Sequence, residues 1–382
     1  MKHALLIAAM AIALAGCVEE LPALTGTTSL RVDLISPSET GTANARLPAV
    51  AKEVTIQVSA LDTTGQIDTS FNKEVDVYAS FFGGLTPPPG SPKIKLEAGT
   101  SAPATIPLPL VYGPTLLWIE DTRSPDATYA TGTSPTLWFH DPTLSDISTP
   151  EDEDDSDAMY HSPLEEKEVV ITSSRHGSRG RLVVTGVYSQ GYTLSDVECR
   201  DEAGTPPCTT SDYDHLMVFT YSVPIDKKGR LIKVGHTVAR VGGVVQEFNG
   251  LTELGFPETR LTDDDPQPAL VPASIEITQD WFGENEIRFE RAEGGLVRIK
   301  NGTVCATDRD YDRYKQWKLD IGAGCERPIN VVTTGVADFD PVENDGATLA
   351  EIVGTLRPVN TARINVWIVY PRSNADLQLS AP

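Results

Sequence analysis

Two eleven-residue segments, GHTVARVGGVV at 235–245 and GATLAEIVGTL at 346–356, align without a gap. A glycine opens each segment, and the apolar residues at positions 238, 241 and 245 match those at 349, 352 and 356. Gly243 and Gly354 also coincide. Because glycine inside a strand pattern indicates a bend or a bulge, both segments predict the same bent strand. The second half of the chain is therefore predicted to contain two homologous β-domains.

Further features upstream of these segments support a repeat. The triplet Asp-Tyr-Asp occurs at 212–214 and at 310–312, and an apolar and aromatic run follows each triplet. Each predicted copy also has its own pair of cysteines. The triplets lie closer together than the glycine segments do, which predicts loop insertions before the second glycine segment.

The closing part of each copy resembles a known module. VARVGGVVQEFNGLTEL at 238–254 and VYPRSNAD at 369–376 are similar to the final strands of OB-fold modules that accompany secreted bacterial nucleases. The similarity covers between a quarter and a half of residues 165–378. It implies a five-stranded, partly open barrel that often binds oligonucleotides or oligosaccharides on one face. Within these 382 residues no nuclease domain accompanies the modules.

The first half of the chain shows the alternation of a strand with one buried face. In VTIQVSA at 54–60 the apolar and polar residues alternate, and prolines rule out long helices between 87 and 109. Similar short runs at 30–35, 75–82, 116–119 and 136–139 predict a two-sheet sandwich. GPTLLWIE at 113–120 and ATGTSPTLWF at 130–139 resemble a bacterial immunoglobulin-like domain.

These patterns together predict an all-β protein, with an immunoglobulin-like sandwich followed by two OB-like barrels. Residues 18–163 contain 7 basic and 21 acidic residues, and the tract EDEDDSD at 151–157 predicts an extended, self-repelling linker. The predicted boundaries are 1–16 for a signal peptide, 17–28 for a tether, 29–142 for the sandwich, 143–163 for the acidic linker, 164–260 for barrel 1, 261–287 for an acidic connector and 288–380 for barrel 2.

The N-terminus has the pattern of a secretory signal. A basic start is followed by an unbroken apolar run at 4–14 and by small residues. LAGC at 14–17 resembles the lipobox of bacterial lipoproteins, in which the cysteine, here Cys17, receives a diacylglycerol and is acylated after cleavage. The resemblance implies a membrane anchor, and Val18 rather than aspartate after the cysteine resembles lipoproteins sorted to the outer membrane. An ordinary cleaved signal is the alternative.

The four remaining cysteines favour disulfides because their number is even and the chain is predicted to be exported. Three pairings are open. Short loops within single domains favour Cys199 with Cys208 and Cys305 with Cys325. A zinc site is the rival interpretation, but the sequence has no Cys-x-x-Cys and no histidine near either pair.

Basic and aromatic residues mark a candidate binding surface on each barrel. Barrel 1 offers Arg175, Arg179, Tyr192 and Tyr221, and barrel 2 offers Tyr311 and Trp317. The alternative is that the aromatic residues fill the barrels and the basic residues lie on solvated loops. Both barrels have slightly more acidic than basic residues, so nucleic acid is not expected to bind.

The sequence has no catalytic motif of the Gly-x-Ser-x-Gly, His-Glu-x-x-His or Walker type. The histidines are scattered without metal-ligand spacing. The alternating aspartates at 308, 310 and 312 resemble the start of a calcium loop, but the glycine and the glutamate that such a loop needs are missing. No enzyme activity, cofactor or metal is therefore expected.

The sequence favours a lipid-anchored envelope lipoprotein that acts as a non-catalytic binding or scaffold protein for protein or polysaccharide partners. The alternative is an accessory module that presents nucleic acid or another polymer to a separate secreted hydrolase.

Overall fold

The computed structural model describes residues 26–47, 52–81, 84–121, 130–155, 159–283, 286–334 and 338–380. The predicted signal peptide, Cys17 and most of the tether lie outside this part. Within the described ranges no helix has the length and apolar character needed to cross a membrane. Strands dominate, and helices are few and short, which confirms the all-β fold class.

The first domain is one continuous path of strands that folds over a single core. Strand β2 is central, because it pairs with β1 along one edge and with β7 and β6 along the other. The path continues from β6 through β5, β3 and β8 to β10. The strands are β1 Ser29–Ser36, β2 Glu53–Leu61, β3 Glu74–Phe81, β4 Gly84–Thr86, β5 Lys93–Glu97, β6 Thr100–Ser101, β7 Ala104–Pro107, β8 Pro114–Glu120, β9 Thr131–Thr133 and β10 Leu137–Trp138.

The alternation in the sequence decides which side chains enter this core. Val54, Ile56 and Val58 of β2 are fully buried, whereas the intervening Thr55 and Gln57 are only half buried. Strands β1, β3, β8 and β10 occupy the other predicted runs, so these predictions are confirmed. Strand β9, which pairs with β8, lies against β1.

Barrel 1 contains six strands around its own core. Strands β12, β13 and β14 form an antiparallel meander, β14 pairs in parallel with β16, and β16 pairs with β15. Backbone hydrogen bonds between β12 and the residues just before β15 nearly close the barrel. Strand β11 pairs with the same edge of β15 further along. The strands are β11 Glu168–Ile171, β12 Gly180–Tyr188, β13 Gly191–Glu198, β14 His215–Phe219, β15 Val238–Phe248 and β16 Leu251–Leu261.

Barrel 2 repeats the same strand order and is closed by a full ladder between β18 and β21. Its third and fifth strands, β20 and β22, also pair in parallel. Each barrel thus contains the five-stranded arrangement expected of an OB-like module, to which barrel 1 adds β11 and barrel 2 adds β17 and β23. The elements are β17 Ile275–Glu276, α2 Ile287–Arg291, β18 Leu296–Val304, α3 Arg309–Tyr314, β19 Gln316–Asp320, β20 Ile329–Val332, β21 Thr348–Thr361, β22 Ile364–Tyr370 and β23 Leu377–Leu379; helix α1, Leu144–Ser148, precedes barrel 1.

The repeat predicted from the glycine segments is confirmed, because both segments form the fourth strand of a barrel. All six matched apolar residues are buried, namely Val238, Val241, Val245, Leu349, Ile352 and Leu356. The Asp-Tyr-Asp triplets are not equivalent, however. The first precedes the third strand of barrel 1, and the second lies in α3 before the second strand of barrel 2. That part of the alignment was wrong because short polar triplets recur in unrelated turns.

The cysteines form the two pairs favoured by their spacing, Cys199 with Cys208 and Cys305 with Cys325. The first disulfide lies in the connection between the second and third strands of barrel 1. The second joins the end of the first strand of barrel 2 to the connection between its second and third strands. Each disulfide closes a loop within one barrel, as expected.

The predicted linker is not extended. Thr143 caps helix α1 through a reciprocal capping box with Asp146, and Leu144 and Ile147 are fully buried in the core of barrel 1. Further along, Glu153 accepts hydrogen bonds from Tyr213 and Arg291, and these bonds hold its pKa below the usual value. Glu153 thus attaches the acidic tract to barrel 1 and to α2, so the prediction of an extended linker was wrong.

A carboxyl cluster lies between the barrels and consists of the buried Glu290 and Glu293 and the half-buried Glu247. Thr252 joins two members, because its backbone N–H donates to Glu293 Oε1 at 2.8 Å and its hydroxyl to Glu247 Oε1 at 3.0 Å. Burial, followed by mutual repulsion, raises the pKa of Glu290 and of Glu293 well above the usual value. Burial also raises the pKa of Glu247 to about 7. The interface is therefore most favourable when these carboxyls are protonated.

The substitution Glu293→Gln is expected to stabilise the protein at pH 8 and to have little effect near pH 4. A carboxyl whose folded pKa is raised contributes stability below its unfolded pKa and loses it as pH rises through the folded pKa. Glutamine keeps the carbonyl acceptor for Thr252 without the charge. Thermal unfolding across pH 4–8 measures this, with exposed Glu343→Gln as the control. Parallel pH profiles for wild type and Glu293→Gln would contradict the prediction.

Candidate functional site

Two loops of barrel 1 that carry ligands in OB-folds face barrel 2 in this protein. They are the loop between its first and second strands, 188–191, and the loop between its fourth and fifth strands, 248–251. The Tyr188 hydroxyl lies 2.6 Å from Thr355 Oγ1 and 3.0 Å from the carbonyl oxygen of Tyr370. The Asn360 N–H donates to the carbonyl oxygen of Asn249 at 2.6 Å. The usual binding position is therefore shared between the two barrels.

A cavity of about 240 Å³ remains at this junction. Its lining includes Tyr188, Phe219, Phe248, Glu253, Arg357 and Tyr370. The Arg357 guanidinium lies 4.1 Å from the centroid of the Tyr188 ring and 4.7 Å from that of Tyr370. Such cation–π contacts fix the orientation of the guanidinium group and leave some of its N–H donors for hydrogen bonds.

Polar groups at the cavity lack partners. Within the described residues, Arg357 Nε and Nη2 are buried without a hydrogen bond. Burial raises the pKa of Glu253 to about 7, and the nearby Arg357 charge opposes that rise. Unpaired buried polar groups are costly, so a ligand that offers hydroxyl groups to them would gain free energy on binding.

An exposed row of rings extends outward from this cavity. Phe219 lies 4.5 Å from Tyr221 between ring centroids, and Tyr221 lies 4.9 Å from Phe256. Tyr221 is 47% exposed and Phe256 is 68% exposed. We call Phe219, Tyr221 and Phe256 the aromatic surface. The exposed side chains of Val223, Ile225 and Leu231 come from the loop that follows Tyr221.

The backbone at the two exposed rings is strained. Tyr221 has φ of 59° and Phe256 has φ of 51°, in the left-handed region that bulky residues rarely adopt. Such conformations persist only where the surrounding structure enforces them, and they are frequent at ligand sites. The protein thus incurs a conformational cost in order to present two large rings to solvent.

The structure divides the predicted aromatic residues between surface and core. Tyr221 belongs to the aromatic surface, whereas Tyr192 and Trp317 are buried and their placement on a binding surface was wrong. The Tyr192 hydroxyl lies 2.7 Å from Thr259 Oγ1. Tyr311, on α3, packs partly against the core of barrel 2 beneath the Lys315 amine. Alternation along a strand shows which side chains share one face of the sheet. It does not show which of the two faces lies inside the barrel.

The predicted basic cluster of barrel 1 is paired internally. Arg175 Nε lies 2.7 Å from Asp214 Oδ1, and its terminal nitrogens donate to Ser145 Oγ and to the Asp212 carbonyl oxygen. Arg179 forms an ion pair with Glu198. Basic side chains held in this way are less able to neutralise a phosphate backbone.

Three residues at this site, Phe248, Phe256 and Arg357, were not predicted from the sequence. A local signal existed for Phe256, because Pro257 follows it inside β16, where the register with β15 shifts. Proline in a strand indicates an edge or a bulge, where a side chain can be redirected to solvent. No local signal exists for Arg357, since only the packing of barrel 2 brings it to Tyr188.

No protein-family model matches the chain, and no curated protein is detectably similar to it in sequence. The candidate site is therefore defined by its geometry.

Tyr192→Phe and Tyr221→Phe form a matched pair that tests this division of rings. Removing the buried Tyr192 hydroxyl leaves Thr259 Oγ1 without its partner and should cost about 1 kcal/mol of unfolding free energy. Removing the exposed Tyr221 hydroxyl should change stability by less than about 0.5 kcal/mol. Urea unfolding monitored by circular dichroism measures both, and equal effects would refute the assignment.

Proposed function

We propose that this protein is a lipid-anchored, non-catalytic binding protein of the bacterial cell envelope, and that its ligand is a polysaccharide. The single observation that carries the ligand proposal is the aromatic surface of Phe219, Tyr221 and Phe256, continuous with the junction cavity through Phe219. The membrane anchor rests on the lipobox at 14–17, which lies outside the described residues.

The chemistry of the surface suits a sugar chain. Sugar rings present C–H groups that pack on the electron-rich faces of aromatic rings, as the ring quadrupole favours. Sugar hydroxyl groups both donate and accept, so they complement the Glu253 carboxyl and the unpaired N–H groups of Arg357. Tyr221 and Phe256 would support successive sugar units, while the cavity would hold one end.

Charge supports a polysaccharide over nucleic acid. The chain has a formal net charge of −23, and the arginines of the basic cluster already have carboxylate partners. Nucleic-acid binding depends on uncommitted Lys and Arg side chains that release counterions from the phosphates. The alternative of an accessory module that presents nucleic acid to a hydrolase therefore gains no support from this surface.

Cys17→Ala should abolish lipid attachment and release the protein from the membrane fraction. Several acyl chains on one residue anchor a protein stably in the membrane. Without the acceptor thiol, only the protein's own surface can contact the membrane. Labelled palmitate incorporation in a bacterial host, followed by membrane fractionation, measures the result, with Val18→Ala as the control. Persistent labelling of Cys17→Ala would place the lipid on another residue, and absence of labelling in the wild type would exclude a lipid anchor.

Polysaccharide binding should depend on the aromatic surface. For the combined variant Tyr221→Ala and Phe256→Ala we expect roughly tenfold weaker binding, since each ring contact contributes about 0.5–1.5 kcal/mol. Affinity electrophoresis of the full chain in detergent against purified envelope polysaccharides provides the measurement. Tyr314→Ala, at a ring 66% exposed on barrel 2, is the matched control.

Parallel titrations with single-stranded DNA at about 50 and 200 mM salt separate the two polymer classes. Salt-sensitive DNA binding without polysaccharide binding would overturn the proposal in favour of the nuclease-accessory alternative. Failure of the folded protein to bind either polymer would also overturn the polysaccharide proposal and would make a protein the remaining candidate ligand for the surface.

A further inference from the structure

A second cluster of polar side chains lies on barrel 1, away from the aromatic surface. Asp196 is in β13, Asp214 immediately precedes β14, and His176 precedes the 3₁₀ turn Gly177–Arg179. One potential ligand atom from each side chain lies within 4.8 Å of the other two. His176 Nε2 is 3.0 Å from Asp214 Oδ2.

The two carboxylates are held in a similar way. The Arg175 N–H donates to Asp196 Oδ2 at 2.8 Å, and the Ser211 N–H donates to Asp214 Oδ2 at 2.6 Å. Both aspartates are fully buried, and Oδ1 of each lacks a hydrogen bond within the described residues. Arg175 Nε approaches Asp214 Oδ1 at 2.7 Å, without the alignment of a hydrogen bond. Each carboxylate is thus oriented by a backbone N–H at Oδ2; Oδ1 of Asp196 has no hydrogen-bond partner among the described residues, and Oδ1 of Asp214 contacts the Arg175 guanidinium.

The loop that carries His176 is also fixed. The His176 N–H donates to Ser174 Oγ at 2.9 Å. A Cβ at Gly180 would lie 1.7 Å from the same Ser174 oxygen, so the close packing of this loop requires glycine at that position. The His176 side chain is 12% exposed, whereas both aspartates are closed to solvent. An ion could therefore enter past the imidazole.

Charge around the cluster is unbalanced. Two buried carboxylates face one permanent cation, Arg175, and buried charges are stable only when they are paired. Hydrogen bonds to ligating carboxylates from surrounding groups are a regular feature of metal sites, and Arg175 and Ser211 would supply them here.

We propose that His176, Asp196 and Asp214 bind a divalent transition metal of the zinc class, with water completing the coordination. One imidazole nitrogen with two carboxylate oxygens is a donor set that Zn²⁺ accepts, whereas Ca²⁺ takes six to eight oxygen ligands. Metal–ligand distances of about 2.0–2.2 Å place tetrahedral donors roughly 3.3 Å apart. The His176 Nε2 and Asp214 Oδ2 atoms, 3.0 Å apart, are close to that spacing, and the three potential ligand atoms all lie within 4.8 Å of one another. The bound ion would cross-link the 172–180 loop to β13 and to the turn before β14.

Calorimetric titration of the chelator-treated full chain with ZnCl₂ tests the site. We expect one Zn²⁺ per chain and a rise in melting temperature on binding, since a ligand that binds only the folded state stabilises it. His176→Gln retains an N–H donor toward Asp214 but removes the imidazole ligand, and should weaken Zn²⁺ binding by at least about 100-fold. His161→Gln, at a surface histidine paired with Glu165, is the matched control and should keep wild-type affinity.

Asp196→Asn provides a second test that does not depend on the histidine, and it should also weaken binding. Equal melting temperatures of the metal-free proteins would show that the variants fold. Absence of Zn²⁺ binding by the wild type, or unchanged affinity in His176→Gln, would overturn the proposal and leave an ion-pair cluster. Tighter binding of Ca²⁺ than of Zn²⁺ would overturn the assigned metal class. Polysaccharide binding is measured separately, so either proposal can fail without the other.

Discussion

The long fourth strand of each barrel is the element on which both barrels depend. Strand β15 pairs with β16 along one edge and with β11 along the other, and β21 pairs with β22 and β23 on one edge and with β18 on the other. Such a strand must bend as the barrel closes. A Cβ at Gly243 would lie 2.5 Å from the Gly255 carbonyl oxygen, and one at Gly354 would lie 2.6 Å from that of Tyr370. Backbone packing therefore excludes any side chain at both glycines, which explains why the same frame appears twice in the sequence.

The first domain and the two barrels are packed against one another and are not separate units joined by a linker. Tyr112 of the first domain and Leu144 and Ile147 of helix α1 share one core with barrel 1. Glu153 then binds both Tyr213 and Arg291 and thereby connects the acidic tract to barrel 1 and to α2. Continuous packing of this kind resists relative motion of the units. The aromatic surface consequently lies beside a junction of fixed geometry.

Charge has different consequences in different parts of this acidic protein. At the surface, arginines such as Arg179 and Arg230 are paired with carboxylates. Between the barrels, Glu247, Glu290 and Glu293 form no ion pair with another described residue, and burial, followed by repulsion between carboxyls, raises their pKa values. The exposed aromatic rings have no such charge cost, because an uncharged ring loses little hydration when a ligand covers it. A charge-poor recognition surface is consistent with the strong net negative charge of the rest of the chain.

The sequence by itself determined the elements whose cause is local. Alternation placed Val54, Ile56 and Val58 in a core, the glycine frames located the two fourth strands, and short loop closure favoured the correct cysteine pairs. Of the proposed surface residues, Tyr221 is exposed, whereas Tyr192 and Trp317 are buried. Periodicity shows that alternate residues share a face, but the face that lies inside depends on which strands meet across the barrel. The junction cavity, the carboxyl cluster and the triad of His176, Asp196 and Asp214 join residues distant in sequence. Only tertiary structure could decide them, because the contacts that create them arise when the strands close into barrels and the barrels dock.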